Sequence, residues 1–128
     1  MDNREITLIR NGAQEKATVF YDTEQPSIIF KFKNFEKICH GENLFSCFIK
    51  LRQELPEIKF LCKGAKRNVH PSRMSSQMSA GLMAYKLETG KQARRENLVN
   101  IFDYEEESLT NEPTTQSEYY KNWLESLR

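Results

Sequence analysis

The sequence predicts an α+β domain: an antiparallel sheet of about four to six strands, with one helix over residues 43–54 packed on a face. Three observations carry that expectation. Short β-branched and aromatic runs recur through residues 6–32, with turn residues between them. One amphipathic stretch follows, with Leu44, Phe48, Leu51 and Leu55 at helical spacing. Two further apolar runs, residues 58–62 and 82–87, supply strands for that helix to cover.

At 128 residues the chain has the length of one domain with a single sizeable core. Residues 1–109 are expected to form it, and residues 110–128 to add a polar linker and a C-terminal helix. Eight Phe, five Tyr and one Trp argue against disorder despite a charged fraction of 29%.

In chain order, Ile6-Thr7-Leu8-Ile9 reads as strand and is closed by Asn11-Gly12, a favoured turn pair. Residues 17–21 resume as strand, residues 22–26 turn at Pro26, and residues 27–32 alternate Phe30 and Phe32 with Lys31 and Lys33. Together they predict a meander. Residues 34–41 read mostly as loop. The helix starts at Asn43, a plausible N-cap, and Pro56 stops it by disfavouring helical backbone at Leu55.

After the strand at 58–62, His70-Pro71-Ser72 breaks the chain direction, and residues 73–80 form a short helix or ordered loop. Met74 and Met78 stand there at i, i+4, the spacing of a core contact. Gly81 allows a tight approach, residues 82–87 form a strand, and Glu88-Thr89-Gly90 a turn. Residues 94–102 read as a short helix with Leu98, Val99 and Phe102 on one side. Residues 110–117 read as loop, and residues 118–127 as a terminal helix carrying Tyr119, Tyr120, Trp123, Leu124 and Leu127.

The net charge of +1 gives no global signal for a polyanion, yet the charge is unevenly placed. Residues 58–87 hold Lys59, Lys63, Lys66, Arg67, Arg73 and Lys86 and no acid. Residues 101–128 hold seven acids against Lys121 and Arg128. Separate basic and acidic faces suit protein recognition and polyanion binding alike. The first residues lack the apolar core of an export signal, and no run reaches membrane-spanning length. A cytoplasmic location with Cys39, Cys47 and Cys62 as reduced thiols is therefore expected.

Candidate chemistry is sparse. The cysteines and His40 and His70 form no paired ligand blocks, so no metal is expected. The serines at 72, 75, 76 and 79 lie in no nucleophile elbow, and Cys62 with His70 is a pairing that sequence alone cannot bring within hydrogen-bond reach. His70 beside Lys66, Arg67 and Arg73 has the cations of a metal-free nuclease and lacks a second titrating partner. Gly64 stands alone before Ala65-Lys66-Arg67, which is no phosphate loop. Binding has broader support. The basic loop 59–73 suits RNA or a nucleotide through counterion release. The run Asp103-Tyr104-Glu105-Glu106-Glu107 suits a basic protein partner, with Tyr104 as anchor.

One stretch also resembles a known group. The residues are Leu51-Arg52, Cys62 to Ser72 (CKGAKRNVHPS), Met74, Met78, Gly81, Ala84-Tyr85, Gly90-Lys91 and Leu98 to Asp103 (LVNIFD). Their order resembles immunity proteins of bacterial contact-dependent growth inhibition and other polymorphic toxin systems, over less than half the chain. Where similar proteins carry Tyr before the Pro-Ser and a more glycine-rich loop, this chain has His70 and Ser79-Ala80. The resemblance implies a non-enzymatic protein without cofactor that binds a cognate toxin domain and blocks it. Many such toxins are nucleases with basic grooves. Expected contacts are Arg67, His70 and Arg73 in the basic loop, and Tyr104, Glu105 and Glu106 in the acidic segment.

Overall fold

Asn11 and Gly12 take positive φ, 52° and 76°, the backbone that a two-residue hairpin turn needs if its twist is to match its strands. In the computed structural model, which describes residues 1–128, this turn joins β1 (Asp2–Arg10) to β2 (Ala13–Asp22). The carboxylate of Asp22 accepts from the Glu24 N–H at 2.9 Å and shapes the next turn. β3 (Ser27–Phe32) then buries Ile28, Phe30 and Phe32 on one face. The expected meander is present.

Most of the stretch 34–41, expected as loop, is strand. β4 (Phe35–His40) pairs antiparallel with β3 across a second two-residue turn, where Lys33 adopts φ 56°. It is an edge strand that buries only Cys39, so it carries no alternation to read.

α1 (Leu44–Glu54) begins where its cap lies. The Asn43 side chain accepts from the Ser46 N–H at 2.8 Å. Leu44, Phe48, Leu51 and Leu55 are all buried, beneath the five-stranded antiparallel sheet of order β4-β3-β2-β1-β5. β5 is short, Lys59–Phe60. Phe48 meets Phe60 edge-on at 5.5 Å and Phe102 at 5.6 Å, and Phe102 meets Tyr21 at 5.4 Å. Such pairs add to the burial of their area.

A second sheet, of order β6-β7-β8, is built from β6 (Val69–His70), β7 (Met83–Lys86) and β8 (Leu98–Asn100). The helix expected over 94–102 is corrected: after a 3-10 turn at Arg95–Asn97, Leu98 pairs with Tyr85 and Val99 with Ala84. Ladder bonds to β7 outweigh the helical spacing of these residues. Between β6 and β7 stands α2 (Arg73–Ser79). The backbone N–H of Leu44 donates to Ala80 O at 2.7 Å, and Asn43 Nδ2 to Ser76 Oγ at 3.3 Å, which join α2 to α1.

α3 (Pro113–Ser126) starts earlier than expected, so residues 113–117 are helix rather than linker. Proline at the first helical turn wastes no donor there. The helix is anchored by Gln116 and Trp123, both buried, and Trp123 Nε1 donates to Lys91 O at 2.8 Å. No helix is long and apolar enough to cross a membrane.

Candidate functional site

α2 is oriented against its own hydrophobicity. Ser72 caps it, accepting from the Ser75 N–H at 3.0 Å while the Ser72 N–H donates to Ser75 Oγ at 2.8 Å. Ser75 is buried. Ser79 Oγ donates to Ser75 O at 2.7 Å and accepts from the Met83 N–H at 3.1 Å. The serine side therefore faces the protein and satisfies its polar atoms there. Met74 and Met78, expected in the core, are 63% and 80% exposed instead. Two serines at i, i+4 compete with two methionines at i, i+4 for the inner face, and the hydrogen-bonded serines occupy it.

Beside Met74 lies a groove of about 440 Å³ between β7 and α3. Tyr85, Leu87, Tyr120 and Trp123 supply apolar walls, and His70 and Arg73 stand at it. The His70 ring stacks on Tyr120 at 4.2 Å with an 11° interplanar angle, and tilts against Phe45 at 5.3 Å. Its Nδ1 lies 2.7 Å from Pro71 O, a carbonyl that can only accept, so Nδ1 carries the proton and Nε2 is the bare nitrogen. Burial pushes the imidazole pKa down, opposed by the Pro71 carbonyl. The groove presents aromatic faces and one guanidinium, a combination suited to anchoring a partner's side chain.

The expectation of separate charged faces is corrected. The basic and acidic segments run together, with Cys62 bridged to Tyr104 and Lys66 to Leu109. Glu105 lies 3.2 Å from Lys66 Nζ and 3.5 Å from Lys63 Nζ, and accepts from the N–H groups of Glu106 and Glu107 at 3.1 and 3.2 Å. Partial burial alone pushes its carboxyl up; the Glu107 N–H, Lys66 and Lys63 prevail and hold it at about 2. Glu105 is thus turned inward, and Lys63 and Lys66 are already paired. Tyr104 and Glu106 remain outward, with the phenol donating to the carboxylate at 3.0 Å. Arg67 is exposed and lies over the Tyr119 ring at 5.6 Å. Of the six residues expected to make contacts, the structure brings His70 and Arg73 into one groove, sets Arg67 over α3, and places the acidic three elsewhere.

No protein-family model matches this chain, and no curated protein matches it.

What holds the groove's two walls together was not among the expected site residues. Arg52, in the last turn of α1, donates from Nη2 to Gln116 Oε1 at 2.8 Å and from Nη1 to Thr110 O at 2.7 Å. Gln116 Nε2 faces Gly64 O and Lys66 O at 2.9 Å and Val69 O at 3.3 Å. It has two N–H bonds for three carbonyls, so the longest contact shares a proton. α3, carrying Tyr120 and Trp123, is fastened by this node to the strand that carries His70. A glutamine amid Thr-Thr-Gln-Ser gives no sequence signal of burial. The three cysteines are buried and unpaired, and burial pushes the Cys62 thiol up to about 12, against a thiolate role.

Proposed function

We propose that this chain is an immunity protein. It neutralises a cognate bacterial toxin domain by stoichiometric binding, without cofactor or chemical step, and the contact surface is the α2–α3 groove with Met74 at its rim, together with Met78 one turn further along α2. The observation that carries the reading is the orientation of α2, which buries Ser75 and exposes Met74 and Met78. Exposing two adjacent methionines on a helix whose other face is hydrogen-bonded serine gains nothing for folding. Methionine is a side chain that adapts to a partner's surface.

The resemblance to toxin-immunity proteins supports the same surface. Among the residues that carry it, Gly64, Ala65, Ile101 and Phe102 are accounted for by packing. Met74 and Met78 are not. The Arg73 guanidinium at the groove favours an acidic or carbonyl-rich feature on the toxin, whereas the bare Nε2 of His70 can only accept. Tyr104 and Glu106 form a second outward pair. Glu105 drops out of the contact set because its charge is engaged within the chain.

The experiment is growth rescue. A toxin domain encoded beside this chain is expressed alone, with the chain, and with its Met74→Glu/Met78→Glu variant. The chain restores growth and the variant does not, although both show the same far-ultraviolet circular dichroism. Equal rescue by the variant contradicts the placement of the site, and absence of rescue by the native chain contradicts the function. If RNA bound at low salt is the only ligand found, and is lost on neutralising Arg67 and Arg73, a polyanion-binding module replaces this reading.

A further inference from the structure

The sheet ends on β4, and the edge it offers is self-complementary. Residues of an antiparallel strand alternate between those bonded to the neighbour and those whose N–H and C=O point away. Phe35 closes a two-residue turn with Phe32 and belongs to the first kind. Six residues on, the Gly41 N–H donates to Pro26 O, which fixes the same parity at the far end. Glu36, Ile38 and His40 therefore direct their backbone groups off the sheet. Consistent with this, the exposed Lys50 ammonium reaches His40 O at 2.7 Å.

The same residues lie on the outer face of the sheet, where Phe20, Ile29 and Ile38 stand directly opposite one another on β2, β3 and β4. Ile38 is 52% exposed at the open end of that apolar row, and Phe35, on the other face, is 44% exposed. Glu36 and His40 flank Ile38 two residues to either side.

We propose that β4 pairs antiparallel with β4 of a second copy of this chain, in the register that sets Ile38 against Ile38. Two features select that register. It is one in which the outward backbone groups of Glu36, Ile38 and His40 meet their counterparts. It sets Glu36 opposite His40 of the other copy, twice, where the carboxylate can accept from the imidazole and lies near the Lys50 ammonium that reaches His40 O. The apolar row then runs unbroken through both copies. A register centred on Lys37 instead sets like charges together. None of these residues lines the α2–α3 groove, so the pairing leaves that groove open.

A strand-edge contact is small and its dimer transient, so association is measured by sedimentation equilibrium up to about 0.5 mM protein. The native chain shows a monomer–dimer equilibrium. Glu36→Lys sets cation against imidazole and raises the dissociation constant about tenfold or more, and the double variant Glu36→Lys/His40→Glu, with the pair reversed, restores it. Ile38→Glu abolishes association. Circular dichroism of each variant checks the fold. A native chain that stays monomeric throughout overturns the proposal, as does a dimer indifferent to Ile38→Glu. Failure of the double variant to restore association overturns the register.

Discussion

Arg52 and Gln116, sixty-four residues apart, meet at 2.8 Å where each is 1% exposed, and no carboxylate takes part. The guanidinium is satisfied by neutral oxygens alone: the Phe48 and Thr110 carbonyls and the Gln116 amide. Burial lowers its pKa to about 10, so it stays charged at neutral pH.

Removing that guanidinium leaves the Thr110 carbonyl and the Gln116 amide without donors and opens a void. Arg52→Ala is expected to cost about 3 kcal/mol or more, read from the urea midpoint at unchanged m-value. Arg52→Lys keeps the charge but cannot span both acceptors, and falls between the two.

Gly64 is a packing glycine. A Cβ there lies 2.7 Å from Ile101 Cβ, 2.9 Å from Ile101 O and 3.0 Å from Phe48 Cδ2, and two of these neighbours are backbone or β-carbon. The Gly64 N–H also donates to Ile101 O at 2.8 Å. Gly64→Ala is expected to destabilise by about 1–3 kcal/mol in thermal or urea unfolding.

The Glu105 carboxyl is held at about 2 against an ordinary value of 4.5. A depressed carboxylate contributes stability above its unfolded value, and that contribution is lost as pH falls from 4.5 toward 2. Glu105→Gln is expected to flatten the stability profile in that window while lowering stability at pH 7. A profile of unchanged slope contradicts the pairing with Lys66 and Lys63.

Burial also lowers the His70 imidazole, below 6.5, which for a histidine disfavours the charged form. As pH falls through 6.5 the unfolded chain takes up a proton that the folded chain resists, so this group destabilises the fold in acid. Its NMR titration midpoint is expected below 6.5. Tyr120→Ala, which removes the stacked ring at 4.2 Å and opens the site to water, moves the midpoint up.

The fold was legible where hydrophobic spacing and local turn chemistry agree. Asn11-Gly12 marks the first hairpin, and Asn43 with Leu44, Phe48, Leu51 and Leu55 marks α1 and its buried face. It was not legible where tertiary structure overrides spacing. β4 is an edge with one buried residue, β8 is a short run held by its ladder, and the first turn of α3 is polar because Gln116 bonds three distant carbonyls. At the candidate site, His70 and Arg73 stood out as chemistry. Met74 and Met78 turn outward against their spacing, which tells which residues share a helix face and not which face turns inward. Charge counts likewise hid the pairing of Lys63 and Lys66 with Glu105, a contact across about forty residues of chain.

The proposed function is tested most directly by titration calorimetry of the toxin domain used for growth rescue against the native protein and Met74→Glu/Met78→Glu. A one-to-one complex is expected, with an affinity that falls about 100-fold or more in the variant on loss of two desolvated anchors. A complex of undiminished affinity in the variant, with its fold intact, contradicts it.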